Sequence, residues 1–420
     1  MTHTSHVLEK SFPGPPEPDL TPAEMIARAE AFRPVLLARQ AEVEERTFYG
    51  EDIHEEFARA GLYRIMVPKR YGGYEFGLDT FLKVVMALAR GCPSTGWMYC
   101  LGAAHALAAA TLFDERAQAE FFADGDFLCP AIIAPGGTAV RTADGGWEIN
   151  GTWNYCSGAP YATHLMGHAL VDDGDGQPPR TMLFVLPRDQ WRMLDDWGQQ
   201  LGLKGSGSHS ITVENGRIPD YCGLDDTHIS DIDVTGGTPG LALHGNPQYG
   251  GAPMSSMTLE GAALAVAMAR CALDAYEDVI RTKLTLAPPI VRRIEDPDYQ
   301  RWYGQALGMI DAAQAATLHA ITQWQDLCGE GPAAFTAERN FRIAMVCREA
   351  ADLAWRAVDD IIFPTAGTGA VKAGERLERV WRDLSMGHSH AGFAVLLTTV
   401  VNRLLAQERF RADLGAAQTP

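Results

Sequence analysis

The chain has 420 residues, of which 46% are hydrophobic and 21% charged, and its formal net charge at pH 7 is −18. This length corresponds to about two or three domains, and the composition is that of a globular protein and excludes wholesale disorder. So acidic a chain is repelled by nucleic-acid phosphates and by anionic lipid, and no segment approaches the ~18 unbroken apolar residues of a membrane span. We therefore expect no nucleic-acid partner and no membrane.

The N-terminal region is predicted to contain a leader and then a helical domain. Residues 1–20 are rich in proline, lack the pattern of a secretion signal and are predicted to be disordered. Thr21, Pro22 and Glu24 have the spacing of a capping box with proline in the first turn, so a helix is expected to begin there. Helical patterning then predicts an N-terminal helical domain over 21–126.

The texture of the sequence changes after residue 126. Short β-type runs separated by turn signals predict a small antiparallel β domain over 127–240, and helical stripes predict a four-helix bundle over 241–420. The expected fold class is α+β, mostly α. Eight cysteines occur singly, without any CxxC pair, which disfavours a zinc ribbon or a disulfide framework and favours the cytoplasm.

Three segments could carry chemistry. The strand-like run 150–158 (NGTWNYCSG) could lie against a flat ligand, although a strand followed by a turn is the simpler interpretation. The run 202–210 (GLKGSGSHS) has small residues whose N–H groups could form an anion-binding nest. The run 381–390 ends in His388 and His390, which are spaced too closely to face the same way and lack a nearby third ligand, so no metal site is predicted.

The order of domains and four motifs resemble the acyl-CoA dehydrogenase superfamily. The motifs occur in the family's order over residues ~25–410 and are VPKRYGG, GWEINGTWNYCSG, LGLKGSGSHSITVENGRIP and AGTGAVKAGERLERVWRD. Dehydrogenases of this superfamily commonly carry a catalytic Glu eight residues after the "RD" pair, where this chain has Ala391. Some place it instead at the start of the first bundle helix, near Met257, so that Glu260 keeps this second alternative open.

Two histidines match the oxygenase branch of the superfamily instead. His390 follows Asp383 by seven residues, and His105 follows Trp97 of the GCPSTGW run by eight. Both spacings resemble the oxygenase components of two-component flavin-dependent aromatic monooxygenases of the p-hydroxyphenylacetate 3-hydroxylase type. The chain departs from that type at Cys129-Pro130 and at Gly392, so a different substrate is expected.

The resemblance implies a mechanism and a set of site residues. A separate NAD(P)H:flavin reductase would supply FMNH2 or FADH2, O2 would form a C4a-hydroperoxide, and a bound aromatic, phenolic molecule would be hydroxylated. The implied catalytic residues are His390, His105 and Ser157, and the chain is expected to form a homotetramer. The implied flavin-binding residues are Trp97, Trp153, Cys156, Ser157, Gly205, Ser206, Ser208, Gly367 and Gly369. The alternatives are an FAD-dependent acyl-CoA dehydrogenase-like oxidoreductase and a relative that oxygenates sulfur or nitrogen.

Overall fold

The computed structural model describes residues 12–174 and 176–411. Its N-terminal part is helical, and the predicted capping box is present, because Thr21 and Glu24 cap each other's backbone N–H groups. The first 11 residues of the predicted leader lie outside the described residues. From Phe12 onward the leader packs on the helical domain, since the Phe12 ring lies 4.9 Å from the Tyr71 ring and Glu17 pairs with Arg28, contacts that the prediction did not anticipate. The helices are α1 Pro22–Ala38, α2 Gln40–Arg46, α3 Glu51–Arg59, α4 Leu78–Gly91, α5 Pro93–Ala103, α6 Ala106–Leu112 and α7 Glu115–Phe121.

The middle of the chain forms one seven-stranded sheet with the order β5-β6-β2-β1-β3-β4-β7. Neighbouring strands are antiparallel except for β1 and β3, which run parallel where Thr138 pairs with Leu170, so the antiparallel prediction is wrong at that one pairing. The cause is the connection through 154–163, which carries the chain from β2 across to the other side of β1, so that β3 runs in the same direction as β1. The strands are β1 Gly137–Arg141, β2 Trp147–Trp153, β3 His164–Val171, β4 Arg180–Pro187, β5 Arg192–Met193, β6 Ile211–Ile218 and β7 Gly223–Leu224.

Long helices form the last part of the chain, with α9 at their centre. This helix packs on α4, α10, α11 and α13. It is also long and apolar enough to span a membrane by composition, but most of that apolar stretch is buried inside the protein, as in the core helix of a bundle. The helices are α8 Pro239–His244, α9 Pro253–Thr282, α10 Pro297–Glu330, α11 Ala337–Arg356, α12 Phe363–Ala366, α13 Arg376–His388 and α14 Asn402–Arg409, with π-helical turns at Ala357–Ile362 and Gly392–Val401.

A buried carboxylate joins the three parts of the chain. Asp383 on α13 accepts the backbone N–H of Leu203 at 2.6 Å and the hydroxyl of Ser94 on α5 at 3.3 Å. Burial raises its pKa to about 7. Next to it, a Cβ on Gly202 would lie 2.0 Å from the carbonyl oxygen of Arg382, so only glycine permits this contact between the sheet and the bundle.

Candidate functional site

The centre of the site is a line of polar side chains between α5 and the sheet. Trp97 on α5 donates its indole N–H to the Ser157 hydroxyl at 3.1 Å. The hydroxyls of Ser157 and Ser208 are 2.8 Å apart, and those of Ser208 and Ser206 are 2.6 Å apart. All four side chains are buried. The structure therefore brings together residues of three segments, with contacts between positions 60 and 51 residues apart in the sequence.

Glycines bring the end of β2 close to α5. Gly158 has φ +93°, which favours glycine, and a Cβ there would lie 3.3 Å from Cα of Gly102 on α5. Tyr155, three residues earlier, also has a positive φ of 63° and is exposed. The backbone thus turns sharply after β2 and presents the Ser157 hydroxyl to Trp97.

Two backbone N–H groups of the segment 205–208 are already bonded within the protein. The N–H of Ser206 donates to the carbonyl of Leu203 at 3.0 Å, and the N–H of Gly207 donates to that of Thr47 at 2.7 Å. The prediction of exposed N–H groups is therefore wrong for these two residues, because the segment folds back on the N-terminal domain. Gly205 serves the same packing, since a Cβ there would meet the side chain of Val43 at 2.4 Å. The segment contributes hydroxyl groups to the site.

Trp153 and Cys156 lie in the core of the sheet. The Trp153 indole is fully buried, donates to the carbonyl of His168 at 2.9 Å and packs edge-to-face on Phe184. The Cys156 thiol donates to the Trp153 carbonyl at 3.1 Å, and burial raises its pKa. These contacts occupy the polar atoms of both side chains, so the two residues support the neighbouring Ser157.

His390 lies beside Trp97, with the two rings edge-to-face at 5.7 Å. Its Nδ1 accepts the backbone N–H of Gly392 at 3.2 Å, so a neutral His390 imidazole carries its hydrogen on Nε2. Partial loss of hydration beside Trp97 lowers the pKa of His390 below its ordinary value, although the residue is solvent-exposed. At neutral pH the residue is therefore an uncharged hydrogen-bond donor through Nε2.

His105 presents a hydrogen-bond acceptor at Nε2, where His390 presents a donor. It is buried just before α6, and its Nδ1 lies 2.7 Å from the carbonyl oxygen of Cys129, to which it donates. Burial lowers the pKa of His105 to about 4, so its ring is neutral at pH 7. With the hydrogen on Nδ1, Nε2 is left as a hydrogen-bond acceptor.

A cavity of about 220 Å³ adjoins Trp97 on the bundle side. Its wall is mostly apolar and includes Gly261 on α9 and Trp355 on α11, and its polar residues include Arg348, Asp352 and His388. An apolar cavity of roughly 150 Å³ is enough to hold benzene. This cavity is therefore large enough for a single substituted aromatic ring.

His388 lies on the wall of the cavity, and its two-residue spacing from His390 predicts that the two rings face different ways. Its ring stacks on Trp355 at 5.0 Å, with 17° between the planes, and its Nε2 lies 3.5 Å from Asp352. The helix continues through His388, which directs this ring to the cavity, while His390 follows the helix end and reaches Trp97. Sequence reasoning also missed Trp355 and Asp352, whose i, i+3 spacing on α11 was the available signal.

The loop with Gly367 and Gly369 lies apart from this cluster within the chain. Gly367 follows Ala366, whose carbonyl accepts a hydrogen bond from Arg293 at 2.6 Å. The 13-residue helix α13 separates the loop from His390 and is about 20 Å long. Within a single chain, the two glycines therefore lie too far away to belong to the cluster of Trp97 and Ser157.

Family comparisons agree with this architecture at both ends of the chain. The acyl-CoA dehydrogenase N-terminal domain matches residues 25–120, and the acyl-CoA dehydrogenase C-terminal domain matches residues 259–395. The chain belongs to the acyl-CoA dehydrogenase superfamily. The resemblance deduced from the four motifs is thereby confirmed, as is the mostly α fold class.

Within this superfamily, the chain is similar to named oxygenases. It is 29% identical to a pigment production hydroxylase of Rhodococcus sp. (strain ATCC 21145), over 89% of this chain and 93% of that protein. It is 28% identical to a flavin-dependent monooxygenase, oxygenase subunit HsaA, of Rhodococcus jostii, over 87% and 93%. A solved structure of XiaF from Streptomyces sp. in complex with FADH2 and glycerol covers 93% of this chain and 95% of its own, with a TM-score of 0.83 and 24% identity.

The donor set of the site fits a flavin. The ring system of a reduced flavin presents both N–H donors and carbonyl acceptors along one edge, and hydroxyl groups pair with either. Ser157, Ser206 and Ser208 supply three such hydroxyls at the junction of sheet and α5. Trp97 adds a flat apolar surface, and its N–H group orients the Ser157 hydroxyl.

Proposed function

We propose that this protein is the oxygenase component of a two-component flavin-dependent monooxygenase that hydroxylates a phenolic small molecule. The observation that carries the proposal is the cluster of Trp97, Ser157 and His390 beside an aromatic-lined cavity. Its polar groups are a hydroxyl, an indole N–H and a neutral imidazole. Ala391 stands where the dehydrogenases commonly carry their base, and burial raises the pKa of the second candidate, Glu260, to about 8, so neither position offers a carboxylate at neutral pH for abstracting a proton from an acyl thioester.

Each residue of the site has a definite role in this proposal. Bound reduced flavin would activate O2 and supply the oxygen atom that is transferred. Ser157 would hold the flavin edge through its hydroxyl, while Nε2–H of His390 would donate a hydrogen bond at the reacting oxygen. His105 would accept the hydrogen bond of the substrate hydroxyl through Nε2. With substrate bound, the mostly apolar cavity wall would limit the access of water, which otherwise favours loss of the oxygen as hydrogen peroxide.

The partners follow from the same proposal. A separate NAD(P)H:flavin reductase would supply the reduced flavin in the cytoplasm, where the eight free cysteines stay reduced. We further propose a homotetramer in which the connection between α9 and α10 packs on other copies. That connection exposes four large apolar side chains, Leu284, Leu286, Ile290 and Ile294. Since the loop of Gly367 lies against Arg293 of the same connection, it would approach a neighbouring copy there.

Rapid mixing tests the proposed activity. Protein loaded with FMNH2 or FADH2 under nitrogen is mixed with oxygenated buffer, and absorbance is followed. We expect a long-lived transient that differs from both reduced and oxidised flavin, followed by hydroxylated product when a phenol is present. Tight FAD that is bleached by an acyl-CoA, with no such transient, would instead establish a dehydrogenase.

A further inference from the structure

Asp352 on α11 is a carboxylate in the wall of the cavity beside Trp97, and its capacity to accept hydrogen bonds is unused. Its side chain is 26% exposed and lines the cavity together with Arg348 and His388. These two residues face one of its oxygens, with Nη2 of Arg348 at 3.8 Å and Nε2 of His388 at 3.5 Å. Both distances exceed the about 2.7–3.2 Å of an ordinary N–H···O bond. Within 12–174 and 176–411, no group donates a hydrogen bond to this carboxylate, which can accept about four.

The charges around Asp352 favour a hydrogen-bond donor over an anion as its partner. The guanidinium of Arg348 is already bound, since Nη1 donates to Glu349 at 2.7 Å and Nε donates to the Thr398 hydroxyl at 3.2 Å. Asp352 is therefore a second carboxylate beside a single guanidinium. A carboxylate substituent on a ligand would meet both acids, whereas an O–H or N–H group would find a free acceptor.

A substrate ring in the cavity would bring its substituents to Asp352. Trp97 lines the same cavity, and Trp355 follows Asp352 by three residues, about one turn, on the same face of α11. Benzene needs a cavity of roughly 150 Å³, so a single substituted ring fills most of the cavity of about 220 Å³ and its substituents reach the wall. Binding would displace water from the carboxylate, and a ligand without a donor would leave the carboxylate unpaired, which is costly.

The free acceptor and the size of the cavity together define a class of substrate. We propose that the Asp352 carboxylate accepts a hydrogen bond from a second donor, an O–H or N–H group, on the ring of the substrate. It thereby selects dihydroxylated or amino-substituted phenols over simple phenols. This inference rests on the proposed function, which by itself requires only one hydroxyl group.

Equilibrium binding of matched ligands tests the proposal without turnover. The protein, with reduced flavin and under nitrogen, is titrated in a calorimeter with two isosteric pairs, hydroquinone with p-cresol and resorcinol with m-cresol. In each cresol a methyl group replaces the second hydroxyl. We expect the wild type to prefer the dihydroxy ligand by about tenfold or more in at least one pair. The Asp352→Leu variant should lose that preference.

Two further variants separate recognition by Asp352 from a general effect of charge or folding. Glu349→Gln removes a carboxylate from an exposed position three residues earlier on α11 and should keep the preference, because Asp352 remains. Asp352→Asn keeps one carbonyl acceptor in a side chain of the same shape and should retain part of the preference, so it replaces the leucine variant if that variant does not fold.

Three results would overturn the proposal. They are a wild type without the preference in either pair, tighter binding of 4-hydroxybenzoate than of hydroquinone, and an Asp352→Leu variant that weakens both members of a pair equally. The proposed activity is tested separately by the reaction with oxygen. A binding preference without a flavin transient would refute that activity and leave the recognition by Asp352 in place, whereas product from a phenol without any preference would refute the recognition alone.

Discussion

Replacing Asp383 should change how the stability of the protein depends on pH. The unfolded carboxyl titrates near 3.8, whereas burial holds the folded pKa at about 7. Between these values the folded state keeps a proton that the unfolded state has released, so stability falls as pH rises from about 4 to about 7. At about 1.4 kcal/mol per pH unit, two units of this range correspond to roughly 3 kcal/mol.

Asparagine resembles the neutral acid and cannot titrate. Asp383→Asn should retain the acceptor for the Leu203 N–H. Its free energy of unfolding, relative to that of the wild type, should increase by roughly 3 kcal/mol as the pH rises from about 5 to about 7. Asp383→Ala should also remove this pH dependence, but it leaves the Leu203 N–H unpaired and should be about 1–3 kcal/mol less stable than the asparagine variant at every pH.

Urea unfolding followed by tryptophan fluorescence at several pH values measures these differences. The wild type and both variants should be compared in the same buffers. An Asp383→Asn variant with the wild-type pH dependence, or one no more stable than Asp383→Ala, would refute the reasoning that Asp383 is a proton-bearing link between the sheet and the bundle.

Three further variants test the site and the assembly. His390→Ala removes the Nε2–H donor beside Trp97. This variant should bind flavin normally, while product formation falls by about 10²–10⁴ and release of hydrogen peroxide rises. Product and peroxide yields measure both effects, and unchanged coupling of flavin oxidation to product would contradict this role. His388→Ala removes the ring stack on Trp355 and should weaken substrate binding several-fold, while the yield of product per reduced flavin is preserved. A lower product yield with unchanged substrate binding would show that the two histidines have exchanged roles. Leu286→Glu places a charge in the exposed apolar connection and should shift the assembly toward smaller species in light scattering, whereas the solvent-facing control Glu295→Gln should not.

The sequence predicted the order of the domains well, because each part has its own periodicity. The capping box at Thr21, the alternating β runs and the long apolar stripe of α9 are local signals that tertiary contacts did not override. The parallel pairing of β1 and β3 was not predictable in this way, because it depends on the path of the connection between the strands.

The site was predictable only where a motif marks a residue. The motifs pointed to Trp97, Ser157 and His390, which the structure brings together. They could not show that the N–H groups of Ser206 and Gly207 are already bonded to Leu203 and Thr47, since those acceptors lie in other segments. Nor could they show that His388 stacks on Trp355, because α13 meets α11 only through packing of the bundle.

The burial of the cysteines has a consequence for the lifetime of the catalyst. All eight thiols are buried, and burial raises the pKa of each above its ordinary value. Oxidants attack the thiolate, and sulfenic acids form where that anion is populated and accessible. A protein that releases some hydrogen peroxide at each imperfect turnover would thus offer its own by-product no accessible thiolate to oxidise.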